Sequence, residues 1–316
     1  MEFGYLFDMF PIDDHPPIGP VSDKHLPEAL RLVFGRLSPD DRTAQEEAIL
    51  AEMAAAEISA LGLIGAVREG RLVGAVLSQV QPGKTALVWP SRLVPDEPPT
   101  TAAGLLEAAC GSLDTQGVCM AQALTSGTQK ADAQLLQAGG FEPLADLLYL
   151  VSFREDFPDK PPDTQLQFET YSSATHDRLA RVLEATYKQT LDCPALNGVR
   201  QIEDILVGYR STGEFIPDYW LIIRNGGKDV GCLLLADHRQ HDNMELVYMG
   251  VVSSLRGRGW GIQITRQAQW LTRQAGRRRL VLAVDAGNAP AVRMYCEAGF
   301  QTWDRRSVYL RCFRGG

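Results

Sequence analysis

A mixed α/β fold, carried twice in tandem along 316 residues, is predicted by three observations. Strand-like and helix-like runs alternate through the last half of the chain. A helical segment separates the strand-like runs beginning at Met244 and Leu280. That requires a parallel crossover inside an otherwise antiparallel order of strands. Segments of the first half also recur, in order, in the second half at nearly one offset.

The recurrence rests on three pairs. "EGRLVGAVL" (Glu69–Leu77) and "GGKDVGCLL" (Gly226–Leu234) lie 157 positions apart. Each reads as a turn carrying Gly70 or Gly227, then an apolar strand after a Val-Gly pair. "LQAGGFEPL" (Leu136–Leu144) matches "YCEAGFQTW" (Tyr295–Trp303), with the phenylalanines 159 apart. At the first offset "VPDEPPTTAAGLL" lies over "VVSSLRGRGWGIQ" without a gap, placing Gly104 under Gly261. The seam falls in the charged, proline-broken "FREDFPDKPPDTQ", Phe153 to Gln165. It divides the chain into an irregular N-terminal segment over 1–25, a first copy over 26–155 and a second over 156–316.

Within the second copy, a strand over Gln165–Tyr171 leads into helices over Ala174–Thr190 and Val199–Tyr209. Apolar runs at Tyr219–Arg224, Val230–Ala236 and Met244–Val252 read as strands. A glycine-rich turn opens a helix that ends at Ala275, with Gly276 as its C-terminal stop. The strand "RLVLAVDA", the short helix "APAVRMYCEA" and the strand "RRSVYLRCF" complete the copy. The matched aspartates Asp41 and Asp177, in "SPDDR" and "ATHDR", are 136 apart rather than 157, so the second copy carries about 21 extra residues. They include "TLDCPALNGVRQIEDIL", Thr190 to Leu206.

The net charge of −8 argues against nucleic acid as a partner, because phosphate-backbone binding wants a basic face. Six cysteines with no CxxC or Cys/His cluster fit reduced thiols, and point to no metal site. The opening "MEFGYLFDMFPIDDHPPIGP" lacks the pattern of a signal peptide. No apolar run approaches the ~20 residues that span a bilayer. The expectation is a cytoplasmic monomer or homodimer with no membrane or nucleic-acid partner.

The chemistry concentrates in "LRGRGWG", Leu255 to Gly261, between a strand and a helix. Glycines let a backbone approach a ligand closely, and a helix start adds unpaired N–H groups and the positive end of its dipole. This is an anion site, and a phosphate is the expected occupant. The Walker pattern fails for want of Gly-Lys-Ser/Thr, and GxGxxG fails at Ile262.

The spacing Arg256-x-x-Gly259-x-Gly261, followed by Asn288, Ala291, Tyr295 and Gly299-Phe300 in "VDAGNAPAVRMYCEAGF", resembles the GNAT superfamily of acyl-CoA N-acyltransferases. The tandem layout resembles that family's two-domain, mycothiol synthase-like branch. The resemblance implies two GNAT-like domains, each a largely antiparallel mixed sheet whose parallel fourth and fifth strands splay apart, flanked by helices. It implies acetyl-CoA (coenzyme A) as co-substrate, with no metal. It places the thioester carbonyl at the backbone of Met249 and pantetheine along Val251 and Val252. The pyrophosphate falls on the amides of Arg256, Gly257, Arg258, Gly259, Trp260 and Gly261, with Asn288, Ala291 and Tyr295 completing the cofactor contacts.

Acyl transfer to an amine needs a proton acceptor, an oxyanion donor and help for the departing thiolate. Glu245, four residues before Met249 and on the same side by strand alternation, is the candidate base, or else a solvent-facing carboxylate. Tyr295 is the candidate acid, or else a core aromatic. Arg277, Arg278 and Arg279 could reach the 3′-phosphate, or form a solvated face; Cys296 could carry an acyl group, or be inert. The extra segment offers Asp192, Cys193 and Asn197 as contacts for a small amine or peptide N-terminus, or else forms a proline-stiffened turn. The first copy has Val88 for Glu245, Leu136 for Tyr295 and acidic, proline-rich "PDEPP" for the glycine loop, which predicts a degenerate domain. A non-catalytic acyl-CoA sensor and an enzyme using another short acyl-CoA remain open from the sequence.

Overall fold

The computed structural model describes residues 16–37, 42–43, 45–47, 49–50, 61–126 and 130–313. Residues 1–15 of the N-terminal segment and 38–41 of "SPDDR", with Asp41, lie outside the described residues. The chain divides into two compact units, Met1–Gln79 with Trp89–Ser112, and Val80–Val88 with Leu113–Gly316.

The first unit begins with β1 (Ile18–Pro20) and α1 (Leu26–Val33), followed by β2 (Leu61–Arg68) and β3 (Arg71–Gln81). Strand β4 (Thr85–Leu93) and helix α2 (Pro99–Thr115) come next in the chain. The segment expected to be irregular therefore contains a strand, β1, antiparallel to β2 with Ile18 opposite Ala66. Its last residue is Pro20, at a strand end where the missing N–H removes no needed bond. Ala29, Leu30 and Val33 form one face of α1 and pack with Phe34 on Leu72, Ala75 and Leu77 of β3.

The second unit contains β5 (Met120–Thr125), α3 (Lys130–Ala138), β6 (Glu142–Phe153), β7 (Gln167–Thr170), α4 (His176–Tyr187) and α5 (Ile202–Arg210). It continues with β8 (Trp220–Asn225), β9 (Lys228–His238), β10 (Asn243–Val251), α6 (Trp260–Gln274), β11 (Arg279–Asp285), α7 (Ala289–Glu297) and β12 (Gln301–Cys312). The strand order is β7-β8-β9-β10-β11-β6-β12-β5. Within it only β10–β11 is parallel; the other neighbours are antiparallel. The mixed, largely antiparallel sheet predicted from the sequence is thus observed.

Two features reflect the duplication. Strands β10 and β11 pair over Asn243–Glu245 and Arg279–Val281, then part. In the first copy Thr85–Leu87 of β4 pair in parallel with Met120–Gln122 of β5 over the same short length. The last strands are also exchanged. Strand β6, which ends the first copy, lies between β11 and β12 of the second, and β12 lies between β5 and β6.

Helix α6 packs on β10 and β11 through Ile264 and Ala268. It ends at Gly276 as expected, with φ +76 and with Gly276 and Arg277 donating to the carbonyls of Arg273 and Thr272 at 3.0 and 3.1 Å. No helix among the described residues is long and apolar enough to cross a membrane.

Candidate active site

A cavity of about 600 Å³ opens where β10 and β11 part. Its walls are Leu246–Val251 of β10, Ala283 and Val284 of β11, the loop from Leu255 to Ile262, and Asn288, Ala291, Met294 and Tyr295 at α7. Thr186 and Thr190–Asp192 close it from the end of α4 onward. The splay leaves the β11-facing edge of β10 without a strand partner from Leu246, so backbone donors and acceptors face the cavity. Met249, Val251, Arg256, Gly257, Arg258, Gly259, Trp260, Gly261, Asn288, Ala291 and Tyr295, predicted from sequence, all meet here. Val252 does not: its amide is engaged by the Val230 carbonyl at 2.9 Å, which turns it back toward β9.

The loop conformation follows from its glycines. Gly257 and Gly259 have φ +78 and +74, left-handed values that cost an L side chain about 1–2 kcal/mol. Gly259 is also the N-cap of α6 and has no side chain to cap the helix. The first-turn amides of α6 are therefore open to a ligand at the positive end of the dipole. The Arg256 guanidinium is turned away from this task. It donates to the carbonyls of Val251 (3.1 Å), Gln189 (2.7 Å) and Thr186 (2.6 Å), bracing the loop against the end of α4. Arg258 stacks over Trp260 at 5.5 Å.

The arginine trio lies elsewhere. Arg277 is paired with Asp237 at 2.6 and 2.9 Å, Arg278 with Asp242, and Arg279 donates to the His241 carbonyl at 2.6 Å. These contacts hold the β9–β10 turn, at the closed end of the splay. Cys296 is exposed and does not line the cavity.

Tyr295 is 5% exposed, packs edge-on to Phe300 at 5.5 Å and lines the cavity. Burial, and then the charge of Asp192, push its phenol well above its usual range. Asn288 caps α7, its Oδ1 accepting from the Ala291 amide at 3.4 Å.

Glu245 departs from the expected geometry. A β-bulge sits at Val247: Leu246 faces Leu235 while Tyr248 faces Leu234. The extra residue inverts the alternation. Met244, Leu246, Met249 and Val251 pack on the α6 side, whereas Val247 and Tyr248 pack on the α4 side. Glu245 is thus on the opposite face from Met249 and does not line the cavity. Its Oε2 accepts from His238 Nε2 at 3.0 Å, and this bond is the main reason the imidazole pKa is raised.

The inserted segment places Asp192 at the cavity wall. Its Oδ1 accepts from the Asp285 amide at 2.9 Å, and Asp285 Oδ2 accepts from the Cys193 amide at 3.1 Å, clasping the insertion to the end of β11. Burial pushes the Asp192 carboxyl up, the Asp285 amide pulls it down, and the Asp285 charge adds to the rise. Burial likewise pushes the Cys193 thiol up to about 12, so it is no thiolate nucleophile. Cys193 and Asn197 line a second cavity of about 360 Å³ rather than the first. Asn197 Nδ2 donates to the Tyr187 carbonyl at 3.4 Å.

The second cavity has a tyrosine wall that sequence reading missed. Tyr209 and Tyr248 stack at 5.7 Å, Tyr187 meets Tyr248 edge-on at 5.4 Å, and the Tyr187 and Tyr209 hydroxyls are 3.0 Å apart. Asp285 was missed as well; its signal was a carboxylate at the C-terminal end of a parallel strand.

The first copy differs in backbone as well as composition. Val88 and Leu136 are buried core residues. Helix α2 starts at Pro99, whereas the position aligned with Trp260, the start of α6, is Ala103. Residues aligned with Arg256–Gly259 are therefore helical, and no glycine loop forms. Glu97 accepts from Arg68 at 3.0 Å and from Thr101 Oγ1 at 2.6 Å, and the Arg68 bond holds its carboxyl below the usual range.

Residues 184–300 match the Acetyltransferase (GNAT) family. Mycothiol acetyltransferase of Corynebacterium glutamicum is 34% identical over 89 residues, which are 28% of this chain and 30% of that relative. A GCN5-related N-acetyltransferase from Sphaerobacter thermophilus superposes with a TM-score of 0.64 at 17% identity, over 96% of this chain and 97% of that one. A tandem GNAT protein from the clavulanic acid biosynthesis pathway does so at 0.52 and 14%, over 95% and 99%. At these identities the superpositions establish the fold. The splayed strands, the glycine loop and the segment from Asn288 to Phe300 all fall inside residues 184–300, the part of the chain that matches the GNAT family.

Proposed function

We propose that this domain transfers an acetyl group from acetyl-CoA to a primary amine, on a small molecule or a peptide N-terminus, by direct attack within a ternary complex. One observation carries the reading: a single cavity joins an uncapped helix start at Gly259, an unpaired strand edge along Leu246–Val251, and a buried phenol at Tyr295. The helix-start amides suit a pyrophosphate. The open edge of β10 suits the amides of pantetheine, which would pair as a strand does. Its N–H groups near Met249 suit the developing oxyanion. A phenol with a raised pKa stays protonated at neutral pH, so Tyr295 can hydrogen-bond the sulfur and give it a proton.

The first copy is proposed to be non-catalytic, because "PDEPP" leads straight into α2, so no glycine loop forms there and its prolines offer no amide to a pyrophosphate. Titrating acetyl-CoA into the full chain by calorimetry should therefore give one site per chain. Two sites would contradict the proposed loss in the first copy, and no binding would remove the acyl-CoA reading itself. Tyr295→Phe should leave the acetyl-CoA Kd within about threefold while lowering kcat roughly 10- to 100-fold, at or just below the usual span for a positioned acid. An unchanged kcat would assign Tyr295 to packing alone.

A further inference from the structure

The Glu245 geometry takes the expected base out of the cavity wall, and the inserted segment supplies a part-buried carboxylate there. We propose that Asp192 is the general base, its Oδ2 taking a proton from the acceptor ammonium where two cavities meet. The proposal rests on the acyl-CoA reading above, which acetyl-CoA binding tests separately.

Three observations support it. The first and second cavities share Thr190, Asp192, Val247 and Tyr248, so Asp192 is the one carboxylate common to both walls among the described residues. Glu297 lines only the first cavity and Glu184 only the second, and both are exposed. Second, the carboxylate is held in place. Oδ1 accepts from the Asp285 amide at 2.9 Å, the Asp192 amide is tied to Thr190 Oγ1 at 3.0 Å, and the neighbouring Cys193 amide is tied to Asp285 at 3.1 Å. No donor among the described residues is recorded on Oδ2, which leaves it for the acceptor. Third, burial raises the Asp192 carboxyl toward the pH at which a base is most effective.

The groups facing Asp192 come from four directions. Asp285 stands at the end of β11, Tyr248 on β10, Tyr295 on α7 and Tyr209 on α5, with the Cys193 thiol beside it. In the second cavity Tyr187 of α4 adds a phenol and Arg200 a fixed positive charge. The phenols and the thiol are all pushed up and stay protonated near neutrality, so none of them competes with the two carboxyl groups for the acceptor's proton. Asp285 already accepts from the Cys193 and Gly287 amides, one on each oxygen. Both of its oxygens are thus engaged, which leaves Asp192 Oδ2 as the free carboxylate oxygen for the proton.

The step balances as follows. The ammonium gives one proton to Asp192 Oδ2, and the freed lone pair forms the C–N bond at the thioester carbonyl. The C–S bond then breaks as Tyr295 gives its proton to sulfur, and the second proton on nitrogen returns to the Tyr295 oxygen. Asp192 loses its proton to water through the second cavity. That cavity holds the body of the acceptor, which the tyrosine wall favours as apolar or aromatic.

The test uses the full chain, acetyl-CoA and ethylamine at high concentration as probe acceptor, with thiol release read across pH. Asp192→Asn keeps an acceptor for the Asp285 amide, and its acetyl-CoA Kd should match the wild type. Its turnover at neutral pH should fall about 100-fold, within the span for a positioned base. Its profile should lose the low-pH limb and follow the ionisation of ethylamine instead. Glu245→Gln should retain that limb. A limb that survives in Asp192→Asn would overturn the proposal, and its loss in Glu245→Gln as well would assign it to Glu245. A direct carbon-13 titration of Asp192 in the acetyl-CoA complex gives a second reading: an ordinary carboxylate pKa there also overturns it.

Discussion

Gly259→Asp is expected to raise the Kd for acetyl-CoA by at least 100-fold while leaving the domain folded. The new carboxylate would stand at the N-cap of α6, where the backbone turns its amides toward the cavity. A carboxylate about 4 Å from one phosphate charge is disfavoured by roughly 4 kcal/mol at a surface-like effective dielectric. Each 1.4 kcal/mol is about a tenfold change in affinity, so repulsion from a diphosphate comfortably exceeds two decades. The effect on folding is smaller. A Cβ at Gly259 meets nothing within 4 Å, so only the left-handed φ of +74 opposes it, and Asp tolerates that region better than most residues. The helix dipole returns about 0.3–1 kcal/mol to an acidic group at that end. Gly259→Ala separates the two effects, since it carries the φ strain without the charge. Calorimetry with thermal unfolding on both variants checks this. Equal weakening in Gly259→Ala and Gly259→Asp would mean that loop shape, rather than anion repulsion, governs binding.

The parts of the site legible in the sequence are those fixed by local backbone chemistry. Gly257 and Gly259 adopt the positive φ that only glycine takes readily, and Asn288 caps the helix it precedes. Such features depend on neighbours within a few residues, so their spacing survives as a readable pattern. Where side chains have a choice of partners, the sequence leaves the choice open. Arg256 is taken up by three carbonyls, and Arg277 and Arg278 by aspartates of the β9–β10 turn. A guanidinium prefers a fixed carboxylate or carbonyl within reach to a distant phosphate.

Glu245 shows a different limit. Alternation along "MELVYMGVV" assumes two residues per repeat, and one bulge reverses it. The bulge at Val247 arises from pairing with Leu234 and Leu235 of β9, and nothing local in the segment marks it. The strand exchange is similarly hidden. "LADLLYLVSF" is apolar over much of its length and carries no sign of its neighbours, which lie more than 120 residues further along the chain. Duplication was legible from the offset; interlocking of the copies was not, because register between distant strands is a property of the assembled sheet.

That interlocking sets the second large expectation: a fragment beginning at residue 156, where the sequence repeat would be cut, should fail to form a stable acetyl-CoA-binding domain. Removing β6 strips seven paired positions from β11 and nine from β12. Both strands would then carry bare edges, which invite aggregation. The core loses Leu150, fully buried, at a cost of about 2–5 kcal/mol for one such side chain, and Val151 with it. Gln269 of α6, also fully buried, loses its bond to Ser152 Oγ at 2.8 Å. That loss acts on the helix whose first turn lines the cavity. A fragment beginning at residue 142 restores β6 between its two partners and newly opens only the β5-facing edge of β12. Circular dichroism melting and acetyl-CoA calorimetry on the two fragments decide the matter. A cooperative melt and wild-type affinity in the shorter fragment would show that β11 and β12 can close on each other. If only the longer one folds, the second copy depends on a strand from the first. Selection could then erase the first copy's glycine loop and tyrosine while its last strand stayed indispensable.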